Sequence, residues 1–242
     1  MHDYIDKIRK SQIYDLAIET PITPAPLLSQ RLDNTILLKR EDLQPVFSFK
    51  VRGAYNKLLH LSAAQRERGV IAASAGNHAQ GVAYAAKAFG IKAVIIMPED
   101  APTLKIDNTR KMGAEVILYD RLHEDREAIG LKVSKERGLT QIKPYDEPLV
   151  IAGQGTCGLE IAIQSKMLNI SEADVIVCCG GGGLTSGIAL ALESEAPKLK
   201  VRTAEPEKFN DVALSLENGK ITRNNSLTGS ICDAILTPEP GK

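Results

Sequence analysis

Three segments hold the residues best able to do chemistry. The first is Pro45-Val46-Phe47-Ser48-Phe49-Lys50-Val51-Arg52-Gly53-Ala54. Ser48 is the expected N-cap of a helix, which puts Lys50 in its first turn. A cation there faces the positive end of the helix dipole, so its pKa falls. An uncharged amine is what attack on a carbonyl and Schiff-base formation require. A lone lysine is more often a solvated surface cation, so its neighbours must decide. The second segment, Ala72-Ala73-Ser74-Ala75-Gly76-Asn77-His78-Ala79-Gln80-Gly81, follows an apolar strand. Its small-residue turn opens a helix and offers backbone N–H groups to an anion, with Asn77 and His78 able to add side-chain bonds. The same spacing also suits a plain strand–helix turn capped by Asn77. The third, Cys178-Cys179-Gly180-Gly181-Gly182-Gly183-Leu184-Thr185-Ser186-Gly187, places four consecutive glycines between a strand and a helix. That exposes N–H groups without side-chain obstruction, as a phosphate needs. No lysine follows as in a P-loop, and the last glycine of a dinucleotide fingerprint is missing. With no ribose-binding acid at the usual spacing, a nucleotide-dependent oxidoreductase is the weaker reading.

These segments need a scaffold, and the chain supplies one. Short β-branched runs at 35–39, 70–73, 93–97, 115–119, 174–179 and 200–204 alternate with helical stretches. The helices are expected at 49–61, 77–89, 102–112, 121–137, 155–167 and 184–193. That βαβα rhythm predicts an α/β fold, a mostly parallel sheet with helices on both faces. Ligands then bind beyond the carboxyl ends of the strands. Ala79, Val82, Ala83 and Ala86 recur at i, i+3, i+4 and i+7, with Gly90 placed as a stop. Pro21 to Pro26 reads as an extended lead-in, and 140–148 as a crossing between domains.

Composition narrows the function. The chain has 242 residues, 43% hydrophobic and 25% charged, ordinary for a globular protein. Thirty basic residues balance thirty acidic ones, so no net field favours nucleic acid or an anionic membrane. The polar N-terminus lacks the apolar core of a signal peptide, and no run is long enough to span a bilayer. Cys157, Cys178, Cys179 and Cys232 show no Cys-x-x-Cys spacing and are expected to be reduced, mostly buried thiols of a cytoplasmic protein.

Taken together, the segments resemble one family. Ser48-Phe49-Lys50-x-Arg52-Gly53-Ala54, the Ser74 to Gly81 run and Gly180-Gly181-Gly182-Gly183-Leu184 are similar to the threonine/serine dehydratases. Those are fold type II pyridoxal phosphate (PLP) enzymes, a group that includes serine racemase and the tryptophan synthase β subunit. Ile151-Ala152-Gly153-Gln154-Gly155-Thr156, Gly158-Leu159-Glu160 and Glu41-Asp42-Leu43-Gln44 extend the resemblance over nearly the whole chain. It implies two domains, each a mostly parallel twisted sheet flanked by helices. Residues 1–68 and 148–242 would form the large PLP-binding domain, and 69–147 the small substrate-binding one.

The resemblance also assigns roles. Lys50 would hold PLP as a Schiff base and exchange protons with substrate Cα, Phe49 would pack on the pyridine ring, and Asn77 would bond the cofactor's 3-oxygen. Gly180, Gly181, Gly182, Gly183 and Leu184 would hold its phosphate. Ser74, Ala75, Gly76, Asn77 and His78 would bind the carboxylate of a small amino acid. The implied reaction is α,β-elimination from a β-hydroxy amino acid, L-threonine or L-serine, to a 2-oxo acid and ammonia. β-Replacing synthases of this fold carry Ser-Gly-Asn-Thr where this chain has Ala75-Gly76-Asn77-His78. Serine racemases carry a second serine at the place of Ala75, which has no proton to give. Serine racemase, 3-hydroxyaspartate dehydratase and a non-catalytic binding protein on this scaffold are the alternatives. Glu205, Phe209 and Asp211 match the spacing of a Mg²⁺ or Ca²⁺ site in eukaryotic-type serine racemases. Surface acids after a strand would show the same spacing. Family members usually run some 80 residues further, through a segment that faces the pyridine nitrogen, and assemble as homodimers or homotetramers. Either the chain is truncated and expected to be inactive alone, or that cofactor contact comes from elsewhere. The stretch 226–235 lacks an Ala-Asp-Gly common in the family, which leaves the substrate open.

Overall fold

The computed structural model describes residues 2–225 and 229–242, so 226–228 of that last stretch lie outside the described residues. Helix α1 (His2–Arg9) leads to β1 (Ile22–Pro24), α2 (Pro26–Leu32) and β2 (Leu37–Lys39). β1 and β2 pair antiparallel, Ile22 opposite Lys39, so the proline-bounded lead-in is itself a strand. Next come α3 (Lys50–Leu59) and α4 (Ala63–Arg68), the latter closed by a Ser62–Gln65 capping box.

The middle of the chain alternates as the hydrophobic pattern predicts. β3 (Val70–Ala73), α5 (Asn77–Phe89), β4 (Ala93–Pro98), α6 (Thr103–Lys111), β5 (Glu115–Tyr119), α7 (Arg126–Arg137) and β6 (Thr140–Gln141) build one parallel sheet in the order β5-β4-β3-β6. β4 is buried along its whole length, as a strand covered on both faces must be. Its side chains alternate: Ile95 and Met97 meet the alanines of α5, while Val94 and Ile96 meet Ile129 and Val133 of α7. α5 stops at Gly90, which takes the left-handed conformation its sequence position required.

The last part is built around α8 (Pro148–Met167), which begins seven residues before the expected helix. β7 (Ala173–Cys178), α9 (Gly183–Glu195) and β8 (Leu199–Ala204) follow, and β7 pairs parallel with β8. α10 (Asp211–Asn218) is an element the periodicity did not reveal. α8 is buried nearly all round, so it has no single apolar stripe to read. Its small residues let helices touch backbone to backbone. A Cβ on Gly153 would lie 2.6 Å from the Arg52 carbonyl oxygen of α3, and one on Gly158 would lie 2.9 Å from Ile188 Cα of α9. One helix therefore sets the spacing of both others. α3 carries Lys50 and α9 follows the glycine loop.

Candidate active site

Lys50 is the first residue of α3, as the first-turn expectation required, but Ser48 does not cap it. Phe49 is already in the αR region and its carbonyl accepts the Arg52 N–H at 3.1 Å, so the helix starts one residue later than the pattern suggested. The Ser48 hydroxyl is buried without a hydrogen-bond partner among the described residues. Lys50 Nζ donates to the Pro144 carbonyl at 2.7 Å and lies 5.3 Å from the Phe49 ring centre. Burial pulls the amine pKa down to about 8, with the nearby Cys178 sulfur acting the other way. Desolvation thus contributes what the helix dipole alone was expected to do.

α5 approaches Lys50 from the sheet side. A Cβ on Gly81 would lie 3.0 Å from the Lys50 carbonyl, so the glycine ending the second motif seats α5 against the start of α3. Within the turn, Ser74 N donates to Ile96 O at 3.0 Å and Ser74 Oγ accepts from Gly76 N at 3.2 Å. Ser74, Ala75, Gly76 and Asn77 are partly exposed, whereas His78 is buried. His78 Nε2 donates to the Ile142 carbonyl at 2.8 Å, and burial together with the Lys50 charge pulls its pKa down to about 3. The imidazole is neutral and turned into the fold. What His78 offers at the turn is its main chain, not the Nε2 bond to a ligand that its type suggested.

The glycine loop leaves β7 through Cys179, whose N–H donates to Ala204 O at 2.9 Å. It enters α9 through Gly182, held at a φ of +88° that other residues rarely adopt. A Cβ on Gly181 would lie 2.2 Å from Tyr145 Cγ, in collision with the ring, and one on Gly183 would lie 3.0 Å from Tyr145 Cα. These glycines therefore make room for an aromatic ring as well as exposing N–H groups. Tyr145 OH donates to the Glu239 carbonyl at 3.3 Å, and Gly241 N donates to Gly181 O at 3.1 Å. Leu184 turns inward onto the α8–α9 core, leaving its backbone to the loop. A cavity of about 400 Å³ adjoins the loop, bounded by Gly181, Gly182, Gly183, Ser186, Tyr145 and Lys220. Lys50 and the 74–78 turn are not among its walls.

Sequence reasoning missed the segment that joins these parts. Ile142, Pro144 and Tyr145 touch His78, Lys50 and Gly181 in turn. Only turn residues marked this stretch, and they carry no sign of what they meet. Of the four cysteines, Cys157 and Cys179 are buried but Cys178 and Cys232 are exposed, so the expectation of mostly buried thiols holds for only half of them. Desolvation pushes the Cys157 thiol up to about 12 and raises Cys178 and Cys179 as well.

The expected cation ligands have other partners. Both Glu205 oxygens accept N–H groups at the start of α10, from Val212 at 2.9 Å and Ala213 at 3.0 Å. Asp211 accepts from Asn224 Nδ2 at 2.6 Å, and the Phe209 side chain is buried. Among the described residues no cluster of three His, Cys, Asp or Glu side chains is placed to hold a metal.

Comparison with known proteins places this arrangement. Residues 13–242 match the family described as pyridoxal-phosphate dependent enzyme. The chain belongs to that family. It is 48% identical over 222 residues to the biosynthetic L-threonine dehydratase IlvA of Burkholderia multivorans, covering 90% of this chain and 43% of that protein. It is 41% identical to the L-threonine ammonia-lyase of Thermotoga maritima, covering 98% of this chain and 58% of the relative. Among solved structures, the processed threonine deaminase isoform 2 of Solanum lycopersicum superposes with a TM-score of 0.92 at 40% identity, over 100% of this chain and 69% of that one. Maize serine racemase superposes at 0.90 with 35% identity, over 98% and 71%. The α/β architecture is that of the fold type II PLP enzymes. The chain spans about two-fifths of the length of the first curated relatives it matches. No helix among the described residues is long and apolar enough to cross a membrane.

Proposed function

We propose that this chain is the cofactor-holding part of a PLP-dependent lyase. It would remove the β-hydroxyl and the amino group of L-threonine or L-serine, giving a 2-oxo acid and ammonia. The observation that carries this is Lys50. Its amine is half-buried, bonded to a neutral carbonyl rather than a carboxylate, and brought to about pKa 8, so a useful fraction is unprotonated near neutrality.

The residues present fit the cofactor. Lys50 would hold it, the adjacent Phe49 ring would flank it, and Asn77 would bond its 3-oxygen. Gly180, Gly181, Gly182 and Gly183, with the main chain of Leu184, would grip its phosphate at the start of α9, where N–H groups converge and a side chain at 181 or 183 would collide with Tyr145. Bound PLP supplies the electron sink. The chain's own residues do the rest. Ser74 and the main chain of 75–78 would orient the substrate carboxylate, and Lys50 would move the proton at Cα. Ala75 offers no acid or base opposite Lys50, which favours elimination over racemisation, the second reading suggested by the maize structure. No cation enters this reading, because Glu205 caps α10. We assign residues 69–147 to a substrate-binding domain and the rest of the chain to a cofactor-binding domain. The whole protein would be a cytoplasmic homo-oligomer.

The test is an absorbance titration with PLP, followed by product analysis. The visible band of lysine-bound cofactor should form in the full chain and vanish in Lys50→Ala, with 2-oxo acid the dominant product from L-threonine. A band that survives the substitution, or a dominant D-amino acid product, would overturn the reading.

A further inference from the structure

Two residues beyond Lys50, α3 carries an arginine that is completely buried. A step of two residues turns an α-helix by about 200°, so Arg52 points away from Lys50 on the opposite side of α3. All five N–H donors of its guanidinium find partners. Nε and Nη2 form a fork onto Glu41, both at 2.7 Å. Nη1 reaches Glu160 Oε1 at 2.5 Å and Thr156 Oγ1 at 3.1 Å, and Nη2 reaches Glu160 Oε2 at 2.9 Å. Lys39 closes the set, with Nζ on Glu160 at 2.6 Å and also on the Thr20 carbonyl. Tyr14 OH adds a bond to Glu160 at 2.8 Å. Two cations therefore face two carboxylates in the interior, tying the start of α3 to α8 and to the segment after β2.

Such a network is a poor source of stability, since well-packed apolar residues usually do as well. What it adds is direction. The adjacent contact between α3 and α8 at Gly53 and Gly153 is backbone against backbone. Van der Waals contact of that kind sets how far apart two helices lie but leaves rotation about the contact point weakly determined. A planar guanidinium locked by two carboxylates determines it, because each bond needs its own angle. Any rotation of α3 that disturbs Arg52 swings Lys50 on the other side.

We propose that Arg52, gripped by Glu41 and Glu160, is a positioning residue for Lys50. The network sets the rotation of the first turn of α3 and so places the amine. This rests on Lys50 being the residue that holds the cofactor. The proposal also explains why Glu41, Arg52 and Glu160 fall in three separate motifs of the sequence, none of which shows a reason for its charge by itself.

The experiment uses Arg52→Lys and Glu41→Gln in the full chain, each first shown to be folded by circular dichroism and thermal melting. Arg52→Lys keeps the charge and loses the fork; Glu41→Gln loosens the network at its more exposed edge. The readouts are the rate at which added PLP develops its visible band, and kcat and KM for L-threonine. In folded Arg52→Lys both the rate of band formation and kcat should fall about 10- to 100-fold with KM little changed, the consequence of an amine misplaced by roughly 1 Å. Glu41→Gln should fall in the same direction by less. A folded Arg52→Lys with wild-type rates would overturn the proposal. If Arg52→Lys does not fold, Glu41→Gln decides by the same two rates, and wild-type values there overturn it equally. Lys50→Ala run alongside separates the two failures: a band persisting in it overturns the cofactor assignment and the positioning role with it, whereas a band lost there but formed at the wild-type rate in Arg52→Lys overturns the positioning role alone.

Discussion

Gly153→Ala should damage this protein through geometry alone. The new Cβ would stand 2.6 Å from the Arg52 carbonyl oxygen and 2.7 Å from Gly53 Cα, where ordinary contact begins at 3.4 Å. Both neighbours are backbone, so no side-chain rotation relieves them, and α3 must back away from α8 by about 0.8 Å, the difference between 3.4 and 2.6 Å. Overpacking of this kind costs about 1–3 kcal/mol. For a chain of this size that lowers Tm by roughly 2–12 °C, at about 2–4 °C per kcal/mol. The same retreat moves Lys50 relative to the glycine loop, since α8 holds both helices, and a misplacement near 1 Å costs about 100-fold in rate. Differential scanning calorimetry and kcat for L-threonine at saturating PLP measure the two effects. Gly130→Ala is the control: it lies inside α7 with its nearest neighbour, Ile96 Cδ1, at 3.7 Å from the new Cβ. It should raise stability by about 0.4–1 kcal/mol through the unfolded chain's lost freedom. A Gly153→Ala protein with wild-type Tm and kcat would refute the account of α8 as the common spacer.

Two further outcomes follow from the charges. The rate at which PLP joins Lys50 should rise about tenfold per pH unit toward pH 8 and level off above it, because only the unprotonated amine reacts and burial sets its pKa near 8. A rate still climbing at pH 10 would show the amine to be solvated. Burial alone would raise the Glu160 pKa, but the bonds from Arg52 and Lys39 outweigh it and hold it below the ordinary 4.5. A carboxylate depressed in the folded state contributes stability that is present above its unfolded pKa and lost as pH falls through the folded one. Denaturant titration should therefore show stability declining below pH 4.5, and Glu160→Gln should cost about 3–5 kcal/mol at pH 7 by leaving Arg52 and Lys39 short of a buried counter-charge. A Glu160→Gln variant as stable as wild type at pH 7 would show that the network contributes nothing to holding α3.

By itself the sequence determined the local frame. The short apolar runs of β3 and β4, the small-residue stripe of α5 and its stop at Gly90 are short-range patterns, and each appears where the pattern put it. The positions of the residues proposed to bear chemistry were equally legible, because Lys50, the 74–78 turn and the four glycines sit at element boundaries marked by composition. Tertiary structure decided what those residues face. Nothing local to Ser48 shows that Phe49 takes the N-cap position and Lys50 starts the helix, nor does His78 reveal that its ring will be taken by Ile142. Nor does Glu205 announce that it caps α10. The first two turns of α8, ahead of the expected 155–167, escaped detection because burial on all sides erases the periodicity by which helices are read. Tyr145 meets Gly181, and Arg52 meets Glu160, across more than thirty residues of intervening chain, and a sequence records such partners only as an aromatic in a turn and a charge in a helix. The amine of Lys50 shows the division best. Its place at a helix start was written in its neighbours, while the burial that brings it near pKa 8 exists only once Pro144 and α5 have packed against it.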